Sequence, residues 1–142
     1  RTDANTGSSG GQDVYVTYHM YQASQTITDV ACSDGSNGLG TRLGISTLDT
    51  LYPYVAAYNF ISWNSENCGK CVKVTNKSSG KTVYITLIDG CGTIDGHQYH
   101  FDVAPEAFNE LDTDGSGIAA GHMVSEWEFV STSKCQGNNL RR

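Results

Sequence analysis

Asp89, Asp95 and Asp102 are the carboxylates whose surroundings suggest chemistry. Asp89 closes the apolar run through Ile85, Leu87 and Ile88, and Asp102 follows His100-Phe101 just before Pro105. A carboxylate accepts paired hydrogen bonds from sugar hydroxyls, and aromatic faces stack on sugar C–H surfaces. Tyr18, Tyr21, Tyr99, Trp63 and Trp127 are candidates for such stacking, although most aromatics in a small domain are core. Cleaving a glycosidic bond by inversion needs two carboxyls, one as acid and one activating water, roughly 6.5–9.5 Å apart. Nothing in the sequence marks a second carboxylate as the base. The plainer role for Asp102 is a cap or charge at the start of a helix beginning near Pro105, which is compatible with a groove role.

Two further constellations imitate metal sites. Asp112-Thr113-Asp114-Gly115-Ser116-Gly117-Ile118 resembles half of a calcium loop, but Met123 stands where a bidentate Glu is needed, so a polar turn is expected. Cys68, Cys71, Cys91 and His97 include zinc-ligand types. Against zinc, five cysteines in 142 residues read as the disulfide framework of a secreted domain. A redox role for the Cys68/Cys71 pair is weaker still, because no βαβ pattern surrounds it. The loop around Cys32 is dense in Gly, Ser, Asn and Asp, residues that tolerate tight turns but do not fix them. A disulfide from Cys32 into the Cys68/Cys71 pair would clamp it. No metal and no cofactor is expected.

The elements that must position these groups are mostly strands. Asp13–Met20 alternates as Val14, Val16, Tyr18, Met20 against Tyr15, Thr17, His19. Val55–Ile61 reads as a strand. Cys71–Thr75 and Thr82–Ile88 flank Asn76-Lys77-Ser78-Ser79-Gly80 as a hairpin. That turn holds the chain's one glycosylation sequon, at Asn76, where an exposed turn suits a sugar. Val124–Val130 alternates again. Ser46–Tyr52 fits a short helix capped by Ser46 or Thr47 and ended by Pro53. Pro105–Leu111 fits another, with proline in its first turn. The class is therefore mainly β with one or two short helices. Residues 1–11 read as a flexible leader, 12–137 as a single domain and 138–142 as a tail.

The net charge is −6, with nine Lys and Arg. That balance disfavours nucleic acid and anionic membrane surfaces as partners. No apolar run approaches the roughly 18 residues of a membrane span. The start at Arg1-Thr2-Asp3, without a signal-like segment, is expected of a processed, secreted form.

The string Val30-Ala31-Cys32-Ser33-Asp34-Gly35-Ser36-Asn37-Gly38-Leu39 resembles the cerato-platanin family of small secreted fungal proteins. Val16-Thr17-Tyr18, Trp63-Asn64-Ser65, the Cys68/Cys71 pair, Ile88-Asp89 and Cys135 extend the resemblance over about residues 13–137. It implies a six-stranded double-psi β-barrel, related to barwin-type defence proteins and to the first domain of expansins. It also implies the pairing Cys32–Cys68 and Cys71–Cys135, each bridge worth on the order of 3–5 kcal/mol by loop entropy. Cys91 is then left over, with burial expected from its apolar neighbours. Thr17-Tyr18-His19 and Gly121-His122 look barwin-like. His100-Phe101-Asp102 resembles an acidic motif of expansins and a related glycosidase family, in which the matching aspartate lies in the sugar groove.

The resemblance implies an extracellular, cell-wall-associated monomer that binds polysaccharide, chitin or cellulose fragments without cleaving them, with expansin-like loosening or a plant-defence elicitor role. The groove residues it implies are Thr17, Tyr18, His19, Asp89, Asp102 and His122. One alternative is a barwin-like ribonuclease using His19 and His122 as general base and acid. A weak glycosidase using Asp102 is another. A third is an effector or inhibitor that contacts plant host proteins through the Gly35–Gly40 loop. Thiol titration of the denatured protein is expected to return one free thiol; several would exclude the two-bridge framework.

Overall fold

The computed structural model describes residues 11–140, so all but Gly11 of the expected leader lies outside the described residues. Alternating sequence resolves into six strands. They are β1 (Gln12–Tyr18), β2 (Val55–Tyr58), β3 (Cys71–Asn76), β4 (Thr82–Gly90), β5 (His100–Val103) and β6 (Met123–Val130). Three short helices accompany them: α1 (Leu39–Leu43), α2 (Pro105–Leu111) and α3 (Ser116–Ala120). The strands close as β1-β5-β2-β4-β3-β6, with β6 returning to β1. Closure leaves no unpaired edge. β1 with β5 and β2 with β4 run parallel; the other neighbours are antiparallel. This is the double-psi barrel that the resemblance implied.

Period-two burial fills the interior. Val14 and Val16, Val72 and Val74, Val83, Ile85 and Leu87, and Met123, Ser125 and Trp127 all point inward. Phe101 and, from α2, Phe108 are the largest fully buried side chains. The two disulfides are Cys32–Cys68 and Cys71–Cys135, and Cys91 is free and half-buried.

Several elements depart from the sequence pattern. Ser46–Tyr52 is a series of turns rather than a helix. Ser46 O accepts from Ile27 N–H, and Leu48 N–H donates to Gln25 O, so this backbone is already committed to the 25–27 segment. Leu48 and Leu51 are fully buried all the same. The helical turn falls instead at α1, which ends at Gly44 with φ 69°. β2 stops at Tyr58, because the chain turns and brings Ile61 O against Gly90, where a Cβ would lie 2.2 Å from it. The Asp112 loop opens α3: its carboxylate accepts from Gly117 and Ile118 N–H at 2.6 and 2.8 Å. Residues 136–140 are docked rather than loose. Asn138 Nδ2 donates to Gly69 O and Thr86 Oγ1, and Leu140 is buried.

Asn76 corrects the expectation of an exposed sequon, since it is 0% exposed. Its Nδ2 donates to Leu111 O at 3.0 Å and its Oδ1 accepts from Ser78 N–H at 3.0 Å. The sequon pattern reads only local sequence, and here its asparagine pins the β3–β4 turn to the end of α2. Asn76→Ala is expected to cost about 1–3 kcal/mol in urea unfolding, the penalty for orphaning buried polar groups. The folded protein from a glycosylating host is expected to show no glycan at Asn76 by intact mass. A neutral substitution or a glycosylated folded form would contradict this assignment.

Candidate functional site

The register of four neighbouring strands builds one row of side chains. Thr17 on β1 pairs with Asp102 on β5, Asp102 with Ala57 on β2, and Ala57 with Asp89 on β4. Asp89 reaches that row through a bulge. Ala56 pairs with Leu87 but Ala57 with Asp89, so Ile88 is the extra residue and is buried in the core. Bulges re-aim side chains in this way. Adjacent strands lie about 4.8 Å apart, so two strand spacings separate Asp102 from Asp89, with the small, buried Ala57 as the floor between them.

The two carboxylates differ in what remains of them. Asp89 Oδ1 accepts from Ala31 N–H at 2.8 Å and Gly90 N–H at 2.9 Å, and Oδ2 accepts from Tyr21 Oη at 2.8 Å. Burial, with the Asp89 charge next, pushes the Tyr21 phenol far above its ordinary value, so this proton stays in place. Asp102 Oδ1 accepts from Thr17 Oγ1 at 2.9 Å, and no donor among the described residues reaches Oδ2.

His100 supports Thr17 from behind. Its Nε2 lies 2.7 Å from Thr17 Oγ1 and its Nδ1 lies 2.8 Å from Gly92 O. The Gly92 carbonyl can only accept, so Nδ1 carries the donated proton and Nε2 faces the Thr17 hydroxyl. His100 is 7% exposed and faces Asp102 through one hydroxyl. His100 was missing from the expected groove set, although two residues along a strand place it on the face of Asp102.

The remaining expected residues scatter. Tyr18 is 44% exposed, but its ring meets Phe108 of α2 edge-on at 5.0 Å. His19 packs on Tyr21, and His122 stacks face to face on Tyr15 at 4.5 Å. No hydrogen bond joins the two histidines among the described residues. Tyr21 and Trp127 are buried, not free to stack, and Tyr99 is half-buried among Tyr58, Phe60 and Trp127; Trp63 is open to solvent. Asp95 is exposed on the loop before β5. Cys68 and Cys71 lie in disulfides, which removes two of the four zinc-ligand candidates. Among the described residues no group of three or more His, Cys, Asp or Glu is placed to hold a metal, and no helix is long and apolar enough to cross a membrane.

The family model for cerato-platanin matches residues 14–137. The chain belongs to the cerato-platanin family. A heat-stable 19 kDa antigen of Coccidioides immitis is 35% identical over 120 residues, covering 82% of this chain and 75% of the antigen. The crystal structure of cerato-platanin 3 from M. perniciosa superposes with a TM-score of 0.76 at 34% identity, covering 87% of this chain and 98% of that one. At 19% identity the fold alone is shared with a point mutant of Clavibacter michiganensis expansin in complex with cellohexaose. That TM-score is 0.53, covering 84% of this chain and 50% of the expansin.

Cys91 borders the site, with Sγ 3.4 Å from His100 Nδ1. Burial, then the charges of Asp102 and Asp89, pushes its thiol up to about 12 from an ordinary 9.0. Folding thus favours the protonated thiol: its contribution to stability is full below pH 9 and is lost as pH climbs towards 12. Iodoacetamide at pH 8 is expected to alkylate native Cys91 at least about tenfold more slowly than the unfolded chain, measured by mass spectrometry. Equal rates would refute the shift.

Proposed function

We propose that the Thr17–Asp102 furrow binds a neutral cell-wall glycan, a chitin or cellulose fragment, without hydrolysing it, and that the protein works outside the cell. One observation carries the reading: Asp89 spends both oxygens on three protein donors, while Asp102 keeps one oxygen free. The furrow thus holds one carboxylate with an oxygen free to meet a ligand, while its neighbour, the candidate for activating the water that hydrolysis by inversion requires, is engaged by three protein donors. Asp102 accepts sugar hydroxyls, Thr17 fixes the orientation of its carboxylate, and His100 holds Thr17. The two disulfides and the acidic surface suit an extracellular setting rich in neutral polymer. The expansin relative with bound cellohexaose supports the choice of ligand class.

In an amide-resolved NMR titration with chitohexaose and with cellohexaose, at least one oligomer is expected to move the resonances of Thr17, Ala57 and Asp102. Asp102→Ala is expected to weaken that binding about tenfold, the value of a hydrogen bond to a charged group. Incubation with either oligomer is expected to release no shorter product. A flat titration with both, or product formation lost in Asp102→Asn, would overturn the reading.

A further inference from the structure

Trp63 is 60% exposed, yet it is held from several sides. Its Nε1–H donates to Asp34 Oδ1 at 2.6 Å, tying together two loops distant in sequence. The backbone at Gly35 lies against the ring, since a Cβ there would stand 3.1 Å from Trp63 Cζ2 and 2.5 Å from Asn64 Oδ1. Asn64 adopts φ 63°, in the left-handed region. Its Oδ1 accepts from Asn37 N–H at 2.9 Å, and its carbonyl accepts from Asn37 Nδ2 at 3.0 Å. The Cys32–Cys68 bridge joins the two loops covalently. So much local order around a ring that the core does not use is the mark of preorganisation.

We propose that Trp63 is a second, preformed glycan platform, on which one pyranose ring stacks while Asp34 receives its rim hydroxyls. The indole N–H lies in the ring plane, so its acceptor Asp34 sits at the edge of the ring and not above its face. A sugar offers an apolar C–H face to the π-system and hydroxyls at its edge to the carboxylate. No donor among the described residues reaches Asp34 Oδ2, which leaves it open to such a hydroxyl. The platform is coupled to the furrow through the backbone: Cys32 N–H bonds to Ile88 O, and Ala31 N–H to Asp89. The choice of a neutral glycan rests on the reading of the furrow, but the site does not share its residues.

The chain has two tryptophans, and the other, Trp127, is buried and serves as an internal reference. Chitohexaose and cellohexaose are titrated against the wild type and the Asp102→Asn, Trp63→Ala and Trp63→Phe variants, reading both indole N–H resonances. The Trp63 resonance is expected to move with an oligomer while that of Trp127 stays, and to keep moving in Asp102→Asn. Trp63→Ala is expected to weaken binding about two- to tenfold, the value of an aromatic stack, and Trp63→Phe to recover part of the loss. If furrow amides move but Trp63 does not, the platform falls and the furrow stands; the reverse pattern overturns the furrow alone. If neither moves, both fall. Tetramethylammonium shifting Trp63 at concentrations as low as the oligomers would make the site cationic and overturn the proposal. Were Trp63→Ala to unfold by circular dichroism, the wild-type indole shift would decide the matter.

Discussion

Asp89 is the constraint on which the working surface depends. It ends a buried strand, arrives there through a bulge, and meets donors from its own backbone turn, from Ala31 and from Tyr21. A carboxylate with that many donors acts as a rivet. It fixes the 21–31 segment to β4, and that segment runs directly into the Cys32 loop. The furrow on one side and the Trp63 loop pair on the other are both hung from this point. A charge that sequence alone suggests for ligand binding is spent on architecture, and the neighbouring Asp102 is thereby left as the carboxylate with spare capacity.

Barrel closure supplies the rest of the positioning. Parallel pairing of β1 with β5 and of β2 with β4 places Thr17, Asp102, Ala57 and Asp89 side by side although they come from four distant stretches. Each strand contributes one residue to the row, and Val16, Phe101, Val103, Ala56 and Ile88, beside them in sequence, are packed inside. The chemistry is therefore fixed by register, and a slip of one residue would invert the face. The inward aromatics Phe101 and Trp127, in edge-to-face contact at 5.1 Å, hold that register from within.

How much of this the sequence revealed depended on the range of the interaction. The β3–β4 hairpin, β6 and α2 carry their signals locally, as alternation or as proline in a first turn. β5 is four residues long, too short for a period to declare itself, and it was visible only as the His100-Phe101-Asp102 motif. Leu48 and Leu51 have helical spacing, but hydrogen bonds to residues 25–27 take the backbone elsewhere. Asp89 and Asp102 both stood out as candidates. Their unequal roles rest on donors such as Ala31, 58 residues from Asp89, and Thr17, 85 residues from Asp102, which no local pattern encodes. Asn76 shows the same limit, its sequon masking a partner at Leu111.

The two bridges are not equivalent in what they secure. Cys71–Cys135 ties a barrel strand to the docked C-terminal segment, whereas Cys32–Cys68 ties two surface loops outside the hydrogen-bonded ring. Opening the second bond alone would leave the loops joined only by the Trp63–Asp34 and Asn37–Asn64 hydrogen bonds, while the ring remains zipped by its own ladders. The covalent tie between the Cys32 and Trp63 loops is thus separable from the hydrogen-bonded closure of the barrel.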